Sequence, residues 1–254
     1  MRGSSQRRGG LLTVDRGNST FDLRFDPSTD GPQERARFDR ERVPEVLEWL
    51  AAREVVRCHA ASVVRGGLDE LRAALRSRGV EMLVAGEELP CPLKISYDDP
   101  RELGVDRWLA ATAAHAVVGT AAIVDCGTAT TFGVVRGDGT FFPGPIAPGL
   151  DALAVGLAIR APGLPRFDIG GSWQFPPRGT KDAIAAGVLL GAAAAIDGVL
   201  TRLFDALHDR GELDAEPTVL VTGGRAEPIA AHLRRTVALA PDLVHDGLAW
   251  LTSR

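Results

Sequence analysis

The sequence predicts an α/β protein made of two similar halves that face each other across a cleft. Two observations carry this expectation. Strand-like apolar runs alternate with helical apolar spacing along most of the chain. One short pattern also occurs twice: Val14-Asp15-Arg16-Gly17-Asn18-Ser19-Thr20 and Val124-Asp125-Cys126-Gly127-Thr128-Ala129-Thr130 each pass from an apolar strand into Asp-x-Gly, then hydroxyl or amide side chains, then a second strand. The halves are placed at 11–118 and 119–254, since 254 residues with a 45% apolar content suffice for two adjoining domains of ordinary size.

Taken in order, Leu11 to Val14 reads as a buried strand and Thr20 to Phe25 as its hairpin return, followed by a turn rich in Asp, Pro and Gly. Val46, Leu47, Leu50 and Val55 recur at helical spacing and predict a helix over 44–56. Ala60 to Val64 predicts a short buried strand, Leu68 to Arg78 a helix and Glu81 to Val84 a strand. Asp106 to Val118, alanine-rich after a polar turn, predicts a helix leading into a core strand over 120–124, with Phe132 to Val135 as the return strand. Gly137 to Gly149 reads as a loop because of its glycines and prolines. A helix over 150–159, a loop over 162–179 and a long helix over 181–204 follow. Thr218 to Val221 is a strand ending in Thr222-Gly223-Gly224, before a helix over 227–235 and a short closing segment near Leu248. The first ten residues are expected to be disordered.

Composition narrows the class. A net charge of -4, from 29 basic and 33 acidic side chains not gathered into a tail, predicts neither a nucleic-acid nor a membrane partner. Cys58, Cys91 and Cys126 lie far apart with no CxxC pair, which fits a reduced, cytoplasmic protein. The apolar run from Leu11 to Val14 is far too short for a signal-peptide core. The most apolar segment, Ala183 to Val199, carries Asp197 and many small residues and reads as a tightly packed soluble helix.

Several residue groups suit phosphate chemistry. Asp15 at a strand end supplies charge for a hydrated divalent cation, Gly17 lets the backbone approach, and Asn18 and Ser19 offer neutral donors to phosphoryl oxygens. Alone, this string is equally an ordinary hairpin turn. Its counterpart, Asp125 with Gly127, Thr128, Thr130 and Thr131, favours a triphosphate held between opposed loops. Gly223 and Gly224 either bring backbone close to a nucleotide or simply turn the chain into a helix. Asp106 either caps the helix it begins or accepts a proton from a primary hydroxyl, with Arg107 either solvated or gripping an acidic substrate. There is no P-loop, no strand-linked G-x-G-x-x-G, no Gly-x-Ser-x-Gly, and no zinc-like spacing among the five histidines.

From Leu11 to Leu248 these motifs resemble, in order, those of the type III pantothenate kinases, a bacterial family of the actin-like ATPase and sugar-kinase superfamily. The resemblance implies ribonuclease H-like, actin-like halves flanking a nucleotide cleft, and ATP-dependent phosphorylation of pantothenate to 4'-phosphopantothenate, the first step of coenzyme A biosynthesis. It implies that Asp15, Arg16, Gly17, Asn18 and Ser19 form the first phosphate motif, with Asp15 on Mg2+. It assigns Gly127, Thr128 and Thr130 to the second, with Asp125 as ligand of a monovalent cation, K+ or NH4+. Tyr97-Asp98-Asp99-Pro100-Arg101-Glu102-Leu103-Gly104-Val105-Asp106-Arg107 resembles the most distinctive stretch of the family, making Asp106 the general base and placing Tyr97, Gly104 and Arg107 at the pantothenate site. Gly223 and Gly224 resemble the adenosine-side loop. Thr180 resembles a threonine lent to pantothenate by the partner subunit of a homodimer. Arg16, Pro143 and Gly179 depart from the usual family residues. Two other readings stand beside this one: a kinase of the same fold for a sugar or another hydroxy acid, and a catalytically silent nucleotide-binding regulator.

Overall fold

A computed structural model describes residues 9–28 and 31–251. The chain divides into two compact units, 1–92 with 101–113 and 244–254, and 93–100 with 114–243. They differ from a single cut after residue 118 in that the C-terminal segment belongs with the first unit and 93–100 with the second.

The first unit is built on a five-stranded sheet of β1 (Gly10–Arg16), β2 (Thr20–Asp26), β3 (Glu34–Asp39), β4 (Val55–Ser62) and β5 (Met82–Val84), in the order β3-β2-β1-β4-β5. Strand alternation sorts its side chains by face. Leu12, Val14, Phe21, Leu23, Phe25, Cys58 and Ala60 form an apolar face buried with Val46 and Leu50 of α1 (Val43–Ala51) and Leu71 and Leu75 of α2 (Asp69–Ser77). The opposite face carries Thr13, Asp15, Asp22, Arg24 and His59, and the C-terminal helix α7 (Leu243–Trp250) is bonded to it. Helix α3 (Val105–Val118) starts in this unit, and the backbone of Leu109 lies against Gly247 of α7.

The second unit holds β6 (Lys94–Ile95), β7 (Ala121–Cys126), β8 (Ala129–Val135), β9 (Thr140–Pro148), β10 (Thr218–Thr222) and β11 (Ala238–Leu239), in the order β11-β10-β7-β8-β9-β6. Helices α4 (Leu150–Arg160), α5 (Thr180–Asp209) and α6 (Ala226–Ala230) complete it. Among the described helices α5 is long and apolar enough to cross a membrane by composition, yet Ile184, Val188, Leu189, Ile196, Leu200 and Phe204 pack it into the core beneath β7, β8 and β10.

The motif repeat is also a repeat of topology. In each sheet a first strand pairs antiparallel with a second, which pairs antiparallel with a third; on its other side the first strand pairs parallel with a fourth, itself parallel to a fifth. The orders β3-β2-β1-β4-β5 and β9-β8-β7-β10-β11 therefore coincide, with β6 added at one edge.

Some expectations are corrected. Gly137–Gly149 is not a loop throughout: Thr140–Pro148 forms β9, because β6 pairs only with Thr140 and Phe141 and leaves the prolines on an edge with no ladder to break. Pro143 is accommodated opposite Gly133, beside a register shift in the β8 pairing. The helix expected to reach residue 56 stops at Ala51, and Val55 already belongs to β4. The helix expected over 227–235 ends at Ala230. Strands β3, β6 and β11 have no counterpart in the sequence reading. Of the ten N-terminal residues expected to be disordered, 1–8 lie outside the described residues, while Gly10 opens β1 and donates its N–H to Glu54 O at 2.9 Å.

Candidate active site

Asp15 and Asp125 occupy equivalent places, each the penultimate residue of the first strand of its sheet and each half-buried. In the first unit the chain turns through Gly17, Asn18 and Ser19, the last two exposed, before returning as β2. Arg16, next to Asp15, is buried; its guanidinium lies 4.5 Å from the centre of the Phe21 ring and donates to the Gly17 carbonyl. Burial and the Arg40 charge hold its pKa below the usual arginine range. Among the described residues no group of three His, Cys, Asp or Glu forms a metal cage. Magnesium takes one or two carboxylates together with phosphate oxygens and water, and Asp15, Asn18 and Ser19 offer carboxylate, amide and hydroxyl oxygens.

Asp106 sits in the first turn of α3, where its Oδ1 accepts the Arg107 backbone N–H at 2.9 Å. Gly104 leaves it room: a Cβ there would fall 2.6 Å from Oδ1. Burial pushes the Asp106 carboxyl above the usual carboxylate range, against the opposing pull of the Arg107 amide and guanidinium. A half-buried carboxylate of raised basicity can accept a proton from a hydroxyl. Arg107 is buried beside it.

In the second unit, Gly127 N donates to Ala129 O at 3.1 Å and closes a tight turn, leaving Thr128 exposed and Thr130 buried. Two segments pack against this turn. Gly149, just before α4, donates to Thr128 O at 3.3 Å, and Arg225 N donates to Cys126 O at 2.9 Å. Gly223 has φ +91°, and a Cβ on it would fall 2.3 Å from Asp125 Oδ1. Asp125, Gly127, Thr128, Gly223 and Gly224 are thereby gathered into one loop cluster. Its carboxylate and carbonyl oxygens are of the kind that take a potassium-sized cation. Beside it, Arg225 grips Asp151 of α4 through two bonds of 2.8 and 2.9 Å, and Phe167, Ile169, Val155 and Ile159 wall a cavity of about 380 Å³ next to that pair.

Thr180 is exposed at the first position of α5, and Asp182 fixes the preceding loop by accepting the Gln174 and Arg178 N–H groups at 3.2 and 3.1 Å. It opens onto an apolar groove of about 670 Å³ along α4 and α5. Tyr97 is half-buried in the second unit.

The sequence reading missed the polar layer beneath α7. His245 Nε2 lies 3.3 Å from Asp22 Oδ1 and its Nδ1 2.8 Å from Thr13 Oγ1. Arg24 donates to Asp26 at 3.0 Å, to Asp246 at 2.5 Å and to the His245 carbonyl at 3.3 Å. Burial would raise the Asp22 carboxyl, but the His245 hydrogen bond and the Arg37 charge outweigh it and hold it below the usual range. The alternating Asp22-Leu23-Arg24 was the available sign, since charged residues facing the side opposite a core need either water or partners.

Solved structures share this fold. A Campylobacter jejuni protein assigned to the Baf family of transcriptional activators aligns with TM-score 0.58 at 19% identity, covering 96% of this chain and 98% of its own. A Sinorhizobium meliloti protein assigned as a 2-dehydro-3-deoxygalactonokinase aligns with TM-score 0.51 at 16% identity, covering 95% of each chain. The fold is therefore the α/β fold of the sugar kinases. Sequence narrows the class further: the profile of the type III pantothenate kinases matches residues 11–202, and the type III pantothenate kinase of Gluconobacter oxydans strain 621H is 34% identical over 257 residues, covering 96% of this chain and 93% of its own. The chain belongs to the type III pantothenate kinase family. It is accordingly a phosphotransferase that uses ATP to phosphorylate pantothenate, the first step of coenzyme A biosynthesis.

Proposed function

We propose that Asp106 is the general base of this reaction; its half-buried carboxylate at the start of α3, held by the Arg107 amide and raised in pKa by burial, is the observation that carries the assignment. It orients the primary hydroxyl of pantothenate toward the γ-phosphorus. As the new O–P bond forms and the bond to ADP breaks, the hydroxyl proton passes to the carboxylate late, since a free alcohol is far less acidic than any carboxyl group. Arg107, Gly104 and Tyr97 define the pantothenate site, the arginine by charge on the substrate's carboxylate.

Asp15 holds Mg2+, with Gly17, Asn18 and Ser19 on phosphate oxygens and Arg16 as a structural neighbour within the same motif. The Gly127, Thr128 and Thr130 turn is the second phosphate loop, Asp125 ligates K+ or NH4+, and Gly223 and Gly224 approach the adenosine. When bound, the cations neutralise charge on the phosphoryl groups. We take 11–118 and 119–254 as two ribonuclease H-like repeats, an interpretation that the shared strand order supports. The enzyme works in the cytoplasm as a homodimer, with Thr180 of the partner subunit reaching pantothenate; the exposed threonine beside an apolar groove supports this arrangement.

ADP release with magnesium and potassium, with and without pantothenate, tests the assignment alongside Asp106→Asn. Pantothenate-dependent turnover that is lost in the variant supports it. An undiminished rate in the variant removes Asp106 as base.

A further inference from the structure

The polar layer on the α7 face of the first sheet is not used by the mechanism above, and it reaches the residue that the mechanism depends on. Asp15 and Asp22 are paired directly across the β1–β2 hairpin. Opposed residues in an antiparallel pair project from the same face with Cβ atoms ~4.5–5.5 Å apart, so the hairpin sets two carboxylates side by side. Like charges in that position repel. Asp22 is bonded on its two oxygens: Oδ1 faces His245 Nε2 at 3.3 Å, and Oδ2 accepts Arg37 Nε at 2.8 Å.

His245 is held from its other side as well. Nδ1 is 2.8 Å from the hydroxyl of Thr13, two residues before Asp15 on the same face of β1. The ring therefore ties β1, at Thr13, to β2, at the residue directly opposite Asp15, from a helix that Arg24 fastens through Asp246. Thr13 and His245 are both under 8% exposed, so the bond between them is shielded from water, whereas the Asp246 end of the Arg24 pair is open to solvent. Burying so many polar groups beside a hairpin is costly unless each is paired, and here the pairing converges on the two strands that carry Asp15.

We infer that His245 is a positioning residue for the magnesium-nucleotide site: by engaging Asp22 and Thr13 it fixes the strand pair that sets Asp15 toward the cation. The inference rests on the reading of Asp15 as the magnesium carboxylate.

Mn2+·ADP affinity, read by water-proton relaxation, and the separate KM values for Mg·ATP and pantothenate are measured on full-length His245→Ala, His245→Gln, Asp22→Asn, the double variant His245→Ala/Asp22→Asn, and Asp15→Asn. His245→Ala is expected to weaken Mn2+·ADP and raise the Mg·ATP KM by about fivefold to tenfold, as the loss of one coupled hydrogen bond does, with the pantothenate KM little changed. His245→Gln, which keeps a side-chain donor, recovers part of the loss. The double variant recovers more of it, because Asp22 no longer brings a charge that must be held. Equal changes in both KM values with a lowered melting temperature, or no recovery in the double variant, reduce His245 to a structural residue and overturn the inference. Unchanged Mn2+·ADP affinity in Asp15→Asn overturns the underlying reading of Asp15 and the inference with it, whereas loss there with an unaltered His245→Ala refutes the inference alone.

Discussion

Gly223 lies so close to Asp125 that no side chain fits between them: a Cβ would fall 2.3 Å from the carboxylate Oδ1 and 2.7 Å from the Cys126 carbonyl carbon, on a residue with φ +91°. Gly223→Ala therefore meets both a clash and left-handed backbone strain. It is expected to cost about 1–3 kcal/mol of stability and to raise the KM for ATP several-fold, with the pantothenate KM less affected. Thermal unfolding and initial rates check this, and an alanine variant with wild-type melting and ATP KM contradicts the packing described.

Asp106 joins stability to activity. Its carboxyl pKa is raised in the folded state, mainly by burial. The associated stability is fully present below the pKa of the unfolded chain and is lost as pH rises through the folded value. Above its folded pKa the wild type therefore carries a charged, half-buried carboxylate that Asp106→Asn lacks. The variant is expected to melt higher than wild type above that folded pKa, with the gap closing on acidification, while kcat falls by about two to four orders of magnitude. In the wild type, kcat/KM should fall on its acid side at a pH above that of an ordinary carboxylate. Melting curves and rates at several pH values test both halves.

How much of this was legible in the sequence depends on how local the cause is. β1, β2, β7 and β8 were readable because apolar strands ending in Asp-x-Gly state their own turns, and Asp15 and Asp125 came with them. β3 was not: in Glu34–Asp39 only Ala36 and Phe38 are even half-buried, so an edge strand looks like exposed coil. β9 was misread because proline content speaks for a loop until pairing with β8 is known. The Thr13–His245 bond joins residues 232 apart and leaves no local periodicity. The chemical roles of Asp106 and Thr180 came from resemblance, since an aspartate in the first turn of a helix and an exposed threonine are ordinary on their own.

The three thiols should respond unequally. Burial and the Asp125 charge push the Cys126 thiol up to about 12, and burial pushes Cys58 up as well, whereas Cys91 is only half-buried. A thiol reagent at mildly alkaline pH is expected to modify Cys91 rapidly in the native protein and the other two only on unfolding. Rapid modification of all three under native conditions contradicts the burial of Cys58 and Cys126.

Two glycine-to-alanine substitutions in helices should act with opposite sign. At Gly156 in α4 a Cβ meets nothing within 4 Å, so alanine adds only its helix preference and is expected to stabilise by about 0.5–1 kcal/mol. At Gly247 in α7 a Cβ would fall 2.3 Å from the Leu109 carbonyl oxygen and 2.8 Å from its carbonyl carbon. Backbone of α3 cannot yield as a flexible side chain does, so Gly247→Ala must move α7 away from α3 at a cost of about 1–3 kcal/mol. Leu109 lies one helical turn beyond Asp106, and α7 also holds Thr13 and Asp22 through His245. The displacement therefore reaches both proposed functional carboxylates of the first unit, and kcat should fall together with a rise in the KM for Mg·ATP. Melting temperature paired with kinetics on both variants decides it: a Gly247→Ala protein that is destabilised yet kinetically normal shows that α7 only supports the fold, whereas a kinetic defect absent from Gly156→Ala shows that the α7–α3 contact sets the site.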